Sequence, residues 1–160
     1  MTKREEESSA HDERWMSQAI DLARRAMDEG EVPIGCVIVH GDRVIGRGWN
    51  RTEKAEDPTA HAEMLAITAA ATTLGYARLE GARAYVTVEP CLMCAGALLL
   101  ARVDAVVYGA PEPKFGALQS RFRVLEAEGL NHYFEARGGV LADEAVSLLK
   151  GFFREKRRGA

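Results

Sequence analysis

The 160-residue sequence has only three cysteines, Cys36, Cys91 and Cys94. So small and odd a count does not make a disulfide framework. No apolar run approaches the roughly 18 residues that a membrane-spanning helix needs, so a helical membrane protein is not expected. Net charge is only −3, which argues against a broadly basic nucleic-acid coat. Contact with a polyanion is therefore confined to a local patch, such as the stretch Arg154-Glu155-Lys156-Arg157-Arg158. Internal repeats, low-complexity tracts and a domain linker are also lacking. The opening run, Met1 to Ser9, has no apolar segment, so no secretory signal is expected there. Residues 1–10 read as a short disordered lead. What is present is 47% apolar and 28% charged, an ordinary globular balance with enough length for one core, so residues 11–160 read as a single domain.

Periodicity sets the organisation. Trp15, Met16, Ala19, Ile20, Ala23, Ala26 and Met27 recur at helical spacing, which predicts a helix from Asp12 to Glu29 stopped by Gly30. Ile34 to His40 and Arg43 to Asn50 read as strands joined by Gly41-Asp42, an antiparallel hairpin. Asp57 as cap and Pro58 at the first helical position predict a second helix from about Thr59 to Leu74. A strand at Ala84 to Val88, a helix from Pro90 to about Ala101 and a strand at Asp104 to Tyr108 follow. A short helix around Arg121 to Glu128, a strand at Tyr133 to Arg137 and a helix from Ala142 to about Arg157 complete the chain. Strands alternating with helices predict an α/β fold, partly parallel, with helices on both faces of a five-stranded sheet.

The chemistry concentrates in His61-Ala62-Glu63 and, 30 residues beyond His61, in Pro90-Cys91-Leu92-Met93-Cys94. One imidazole and two thiols make three zinc ligands, leaving the fourth tetrahedral position for water. Cys91 and Cys94 share one side of a helix, and a helix start lowers a thiol's pKa toward the metal-binding thiolate. A C-x-x-C alone also suits a redox pair or a structural zinc knuckle, but neither explains Glu63. Glu63 is the candidate to move protons to and from the water. In a regular helix its offset from His61 turns it about 200° away. It reaches the metal only if its side chain crosses the helix mouth or the helix begins irregularly. Cys36, within the run Ile34 to Val39, reads as a buried strand residue.

The combined pattern H-x-E…P-C-x-x-C is the signature of zinc deaminases. With Glu31-Val32-Pro33-Ile34-Gly35, Arg47-Gly48-Trp49-Asn50-Arg51, Asp57 to Glu63, Tyr85 to Cys91, Leu130-Asn131-His132 and Gly139 to Glu144, the chain resembles the bacterial tRNA adenosine deaminases from about Trp15 to Arg157. The resemblance implies a three-layer cytidine deaminase-like fold and one zinc ion per subunit. It implies hydrolytic conversion of adenosine to inosine at wobble position 34 of a tRNA anticodon stem-loop, by a cytoplasmic homodimer. It further implies that Asn50 bonds the target base, that Val32, Pro33 and Ala62 line its pocket, and that Phe153 lies near the anticodon loop. On the residues alone, Asn50 reads first as a strand-end turn asparagine, Val32 and Pro33 equally as a strand entry, and one of Phe152 and Phe153 packs in the core. In the loop Ala110 to Gly116, Glu112 stands where such proteins commonly carry Asp, and Pro111 and Phe115 also depart from the pattern. Lys114 in that loop is available for phosphate. Two other readings stay open: a deaminase of free guanine, cytosine or a nucleoside, and a non-catalytic zinc module that binds nucleic acid.

Overall fold

Residues 35–39 are all buried, yet their side chains divide between two faces. In the computed structural model, which describes residues 1–159, Cys36 and Ile38 of strand β1 (Gly35–His40) join one apolar cluster and Val37 and Val39 another. That is the period-two geometry of a strand covered on both sides. β1 pairs antiparallel with β2 (Arg43–Trp49) on one side and with β3 (Arg83–Val88) on the other. β4 (Ala105–Ala110) and β5 (Glu135–Arg137) then add in parallel, giving the mixed order β2-β1-β3-β4-β5. Helices α1 (Lys3–Asp28) and α4 (Ala142–Gly159) cover the Val37 face, and α2 (Ala62–Leu74) and α3 (Leu92–Ala101) the Cys36 face. The three-layer α/β/α arrangement expected from the order of elements is the one observed.

Several boundaries differ from expectation, each for a local reason. The lead expected to be disordered over residues 1–10 is helical from Lys3. The Thr2 hydroxyl accepts the Glu5 amide at 3.2 Å, and the Glu5 carboxylate accepts the Thr2 amide at 2.7 Å. This capping box starts a polar helix that composition alone does not reveal. The second helix begins at Ala62, not Thr59, because Asp57 spends its carboxylate on the Thr59 amide and hydroxyl, closing a separate turn. The helix expected around Arg121 to Glu128 is a single 3-10 turn, Val124–Glu126, and the last strand shortens to Glu135–Arg137.

One seam fixes where α2 lies. Gly46 and Gly48 of β2 face Ala62, Ala66 and Ala70, so the helix backbone rests almost directly on the strand. A Cβ at Gly48 would sit 2.0 Å from the Ala62 carbonyl oxygen, and at Gly46 2.3 Å from that of Ala66. Only glycine permits this approach. Gly48→Ala is therefore expected to lower stability by about 1–3 kcal/mol through overpacking. Gly151→Ala, in open space on α4, is expected to be neutral or stabilising. Urea denaturation midpoints of the two variants check this, and equal midpoints would contradict a tight seam.

Candidate metal centre and active site

α2 and α3 both begin with a metal-type side chain at the N-cap. His61 has φ −75° and ψ 154°, and Cys91 φ −74° and ψ 177°. Neither side chain makes the usual capping hydrogen bond. The extended backbone at each cap throws the side chain clear of its own helix and toward the other helix mouth. His61 Nδ1 lies 3.7 Å from Cys91 Sγ and 3.5 Å from Cys94 Sγ. All three donor atoms fall within 4.8 Å of one another. Tetrahedral zinc, with bonds of about 2.0–2.1 Å to nitrogen and about 2.3 Å to sulfur, sets nitrogen and sulfur about 3.6 Å apart. The triangle fits that ion, and its thiolate-rich donor set suits zinc.

The irregular helix start also resolves the placement of Glu63. Because His61 is the cap and not a helical residue, the regular 200° offset does not apply, and Glu63 lies near enough to His61, Cys91 and Cys94 for their charges to interact. Glu63 is 4% exposed, in the first turn of α2. Burial pushes the Glu63 carboxyl up to about 6. Cys91 is drawn down to about 4, chiefly by the hydrogen bond from Cys94 and further by His61, against the opposing effect of burial. Cys94 is driven up, first by sharing its proton with Cys91 and then by burial. His61 is raised, mainly through its bond to Cys91. Without a metal, these surroundings favour the thiolate at Cys91 and the thiol at Cys94.

The other expected site residues are distributed around this centre. Asn50 closes β2 with its amide 3.1 Å from the Ile34 carbonyl. It is 6% exposed, at the point where β2 ends and the loop over residues 51–61 begins. Val32 is half-buried and Pro33 buried at the entry to β1. Ala62 is wholly enclosed in the seam against β2. Lys114 is exposed, and Glu112 closes its turn by accepting the Lys114 amide at 2.9 Å. Of the phenylalanine pair, Phe152 is buried and Phe153 exposed. Phe153 lines a groove of about 550 Å³ with Pro111, Glu112, Lys150, Arg154 and Arg157.

Two acidic residues escaped assignment in the sequence. Glu31, 1% exposed, accepts the amides of Glu53 at 3.0 Å and Lys54 at 2.9 Å, holding the loop that follows Asn50. Glu89, 3% exposed, lies two residues before Cys91 and binds the loop after β4. Burial works to raise Glu89, but amides of Gln119, Ser120 and Glu112 and the Ser120 hydroxyl hold it below the usual glutamate range. The only signal in sequence was an acid at the end of an apolar strand.

Residues 9–110 match the family described as "Cytidine and deoxycytidylate deaminase zinc-binding region". The chain is 48% identical over 147 residues to the tRNA-specific adenosine deaminase of Bacillus subtilis (strain 168), covering 92% of this chain and 91% of that protein. A solved structure from work on A-to-I editing by tRNA:A34 deaminases at the wobble position of transfer RNA superposes with a TM-score of 0.82 at 43% identity, over 85% of this chain and 99% of that one. A guanine deaminase structure from Bacillus subtilis matches less fully, with a TM-score of 0.60 and 40% identity over 62% of this chain and 64% of that one.

Proposed function

We propose that this chain, which belongs to the tRNA-specific adenosine deaminase family, converts the wobble adenosine at position 34 of a tRNA anticodon to inosine by zinc-dependent hydrolysis, releasing ammonia. The observation that carries the chemistry is Glu63, buried beside the His61–Cys91–Cys94 triangle by the irregular start of α2. His61, Cys91 and Cys94 would hold zinc. When bound, zinc supplies Lewis acidity that lowers the pKa of water from about 16 toward about 7. Glu63 accepts a proton from water and passes it to the ring nitrogen, while the water oxygen bonds to the carbon bearing the exocyclic amine. It then delivers the second water proton to the amine, which leaves as ammonia, and the new oxygen remains as the carbonyl. Asn50 would meet the purine edge, since an amide offers both a donor and an acceptor. Val32 and Pro33 would form the wall around the flipped base, while Ala62, enclosed in the seam against β2, would back the start of α2.

The RNA part of the proposal rests on the Phe153 groove. Lys150, Arg154 and Arg157 recur at helical spacing beside an exposed aromatic. A cation row tracks phosphates while a ring stacks an unpaired base, the combination that suits a single-stranded loop. Lys114 would add one further phosphate contact. We read residues 11–160 as one zinc-dependent deaminase domain and its location as cytoplasmic, where tRNA is processed. The functional unit would be a homodimer. An apolar groove of about 650 Å³ on α3, with Leu92 and Leu100 exposed, is the face to cover.

The guanine deaminase likeness supports a second reading, hydrolysis of a free base at the same centre. Incubation with an anticodon stem-loop bearing wobble adenosine, with free guanine and with cytidine separates the two. Inosine in the stem-loop alone is the expected result. Turnover of guanine with no inosine would replace the first reading by the second.

A further inference from the structure

We propose that Glu89 is a positioning residue that registers the RNA-facing loop, residues 111–120, against the metal ligands; this rests on the deaminase reading above. Glu89 ends β3 and directly precedes Pro90 and the ligand Cys91. Among the described residues it forms no ion pair, and its carboxylate is committed wholly to the loop. One oxygen accepts the Leu118, Gln119 and Ser120 amides at 3.0, 2.9 and 3.0 Å. The other accepts the Glu112 amide at 3.2 Å and the Ser120 hydroxyl. The loop thus folds around a single side chain, which satisfies amides that would otherwise lose their partner.

Two backbone bonds add to the same joint. The Ala117 amide donates to the Pro90 carbonyl at 2.8 Å, and the Glu89 amide donates to the Ala110 carbonyl at 2.9 Å. Gly116 is required where the loop passes over the carboxyl, since a Cβ there would lie 2.5 Å from Glu89 Cδ. Pro111, Glu112 and Pro113, which form one wall of the Phe153 groove, are therefore bound into one unit with the cap of α3. A buried carboxylate with no counter-cation is costly to maintain. Its return here is a fixed distance between the cavity that reacts and the groove proposed to hold the RNA strand.

The test compares Glu89→Gln and the milder Ser120→Ala with the parent protein. The glutamine keeps the shape but turns an amide NH2 toward N–H donors from which it cannot accept. Three quantities are measured: zinc per chain, kcat and KM on the anticodon stem-loop, and hydrogen exchange of the loop amides. The expected result for Glu89→Gln is unchanged zinc, kcat within about 3-fold, KM raised about 10-fold or more, and amides 118–120 exchanging about 100-fold faster, with α3 amides unaltered. Ser120→Ala is expected to shift KM and exchange in the same direction by less. Unchanged KM and exchange in both variants would overturn the proposal. So would a loss of kcat or zinc with KM intact, which would place the action of Glu89 on the metal centre instead. If Glu89→Gln does not fold, Ser120→Ala decides by the same criteria. A parent protein inactive on the stem-loop would refute the tRNA reading, while the exchange data would still judge the clamp.

Discussion

Glu63→Gln is expected to keep its zinc and lose about 100- to 10,000-fold in kcat on the stem-loop. The amide fills the same volume in a site only 4% exposed, so the metal triangle should stay in place. What disappears is the buried carboxyl beside the centre, and with it the proposed route by which protons leave water and arrive on the ring and the amine. KM should move little, because the base is recognised elsewhere. The same substitution carries an opposite expectation for stability. Burial raises the folded Glu63 to about 6 from the ordinary glutamate value of 4.5, so the folded state of the metal-free protein binds the proton more tightly than the unfolded chain does. Stability of the parent therefore falls as pH rises through about 4.5 to 6, and stays lower above that window. Metal-stripped Glu63→Gln lacks this penalty and should melt at a higher temperature than the parent at pH 8, with the gap closing at pH 4. Normal turnover by the variant, with zinc content measured on the same sample, would remove Glu63 from the mechanism.

How much of this site could be read from the chain depends on whether a residue acts through its chemical type or through its position. His61, Cys91 and Cys94 were legible because imidazole and paired thiols at that spacing have few other uses, and the structure brings all three within 4.8 Å. The reach of Glu63 was not, because it depends on α2 starting one residue after His61. The sequence signals at Asp57 and Pro58 pointed to an earlier start, which Asp57 forgoes by bonding Thr59. The helix over residues 3–10 was hidden for a related reason. Polarity indicates that a segment buries little, whereas the Thr2–Glu5 capping box decides its conformation. Glu31 and Glu89 were harder still. Their partners are backbone amides of Glu53, Lys54, Glu112, Leu118, Gln119 and Ser120, and an amide is offered by almost any residue, so no complementary side-chain pattern betrays the contact. The five-stranded sheet was recoverable because apolar period and turn chemistry are local, while the length of β5 depends on its pairing with β4, which covers only Glu135–Arg137.

Cys94→Ala should strip the centre of its metal and reduce deamination to background. The variant leaves only His61 and Cys91, one ligand short of the three on which a hydrolytic zinc site is built. Cys94 is buried in α3 behind the cap, and among the described residues the metal-type cluster consists of His61, Cys91 and Cys94. Loss of the metal is expected to lower thermal stability as well, since zinc binding to the folded state adds to folding free energy. The protonation pattern gives the parent a distinct signature in the same experiment. Cys91 is drawn down to about 4 by the Cys94 thiol and stands ready as thiolate at neutral pH, whereas Cys94 is raised and keeps its proton until metal arrives. Zinc must displace that proton, so uptake should release protons in weakly buffered solution, and affinity should weaken as pH falls. In Cys94→Ala this release is absent, and Cys91 loses its main source of stabilisation as thiolate. Calorimetry in two buffers of different ionisation enthalpy measures the protons, and metal analysis of the purified variant measures occupancy. A Cys94→Ala protein with a full complement of tightly held zinc would show that the ion sits elsewhere, and both the proton shuttle assigned to Glu63 and the joint assigned to Glu89 would then need a different centre to serve.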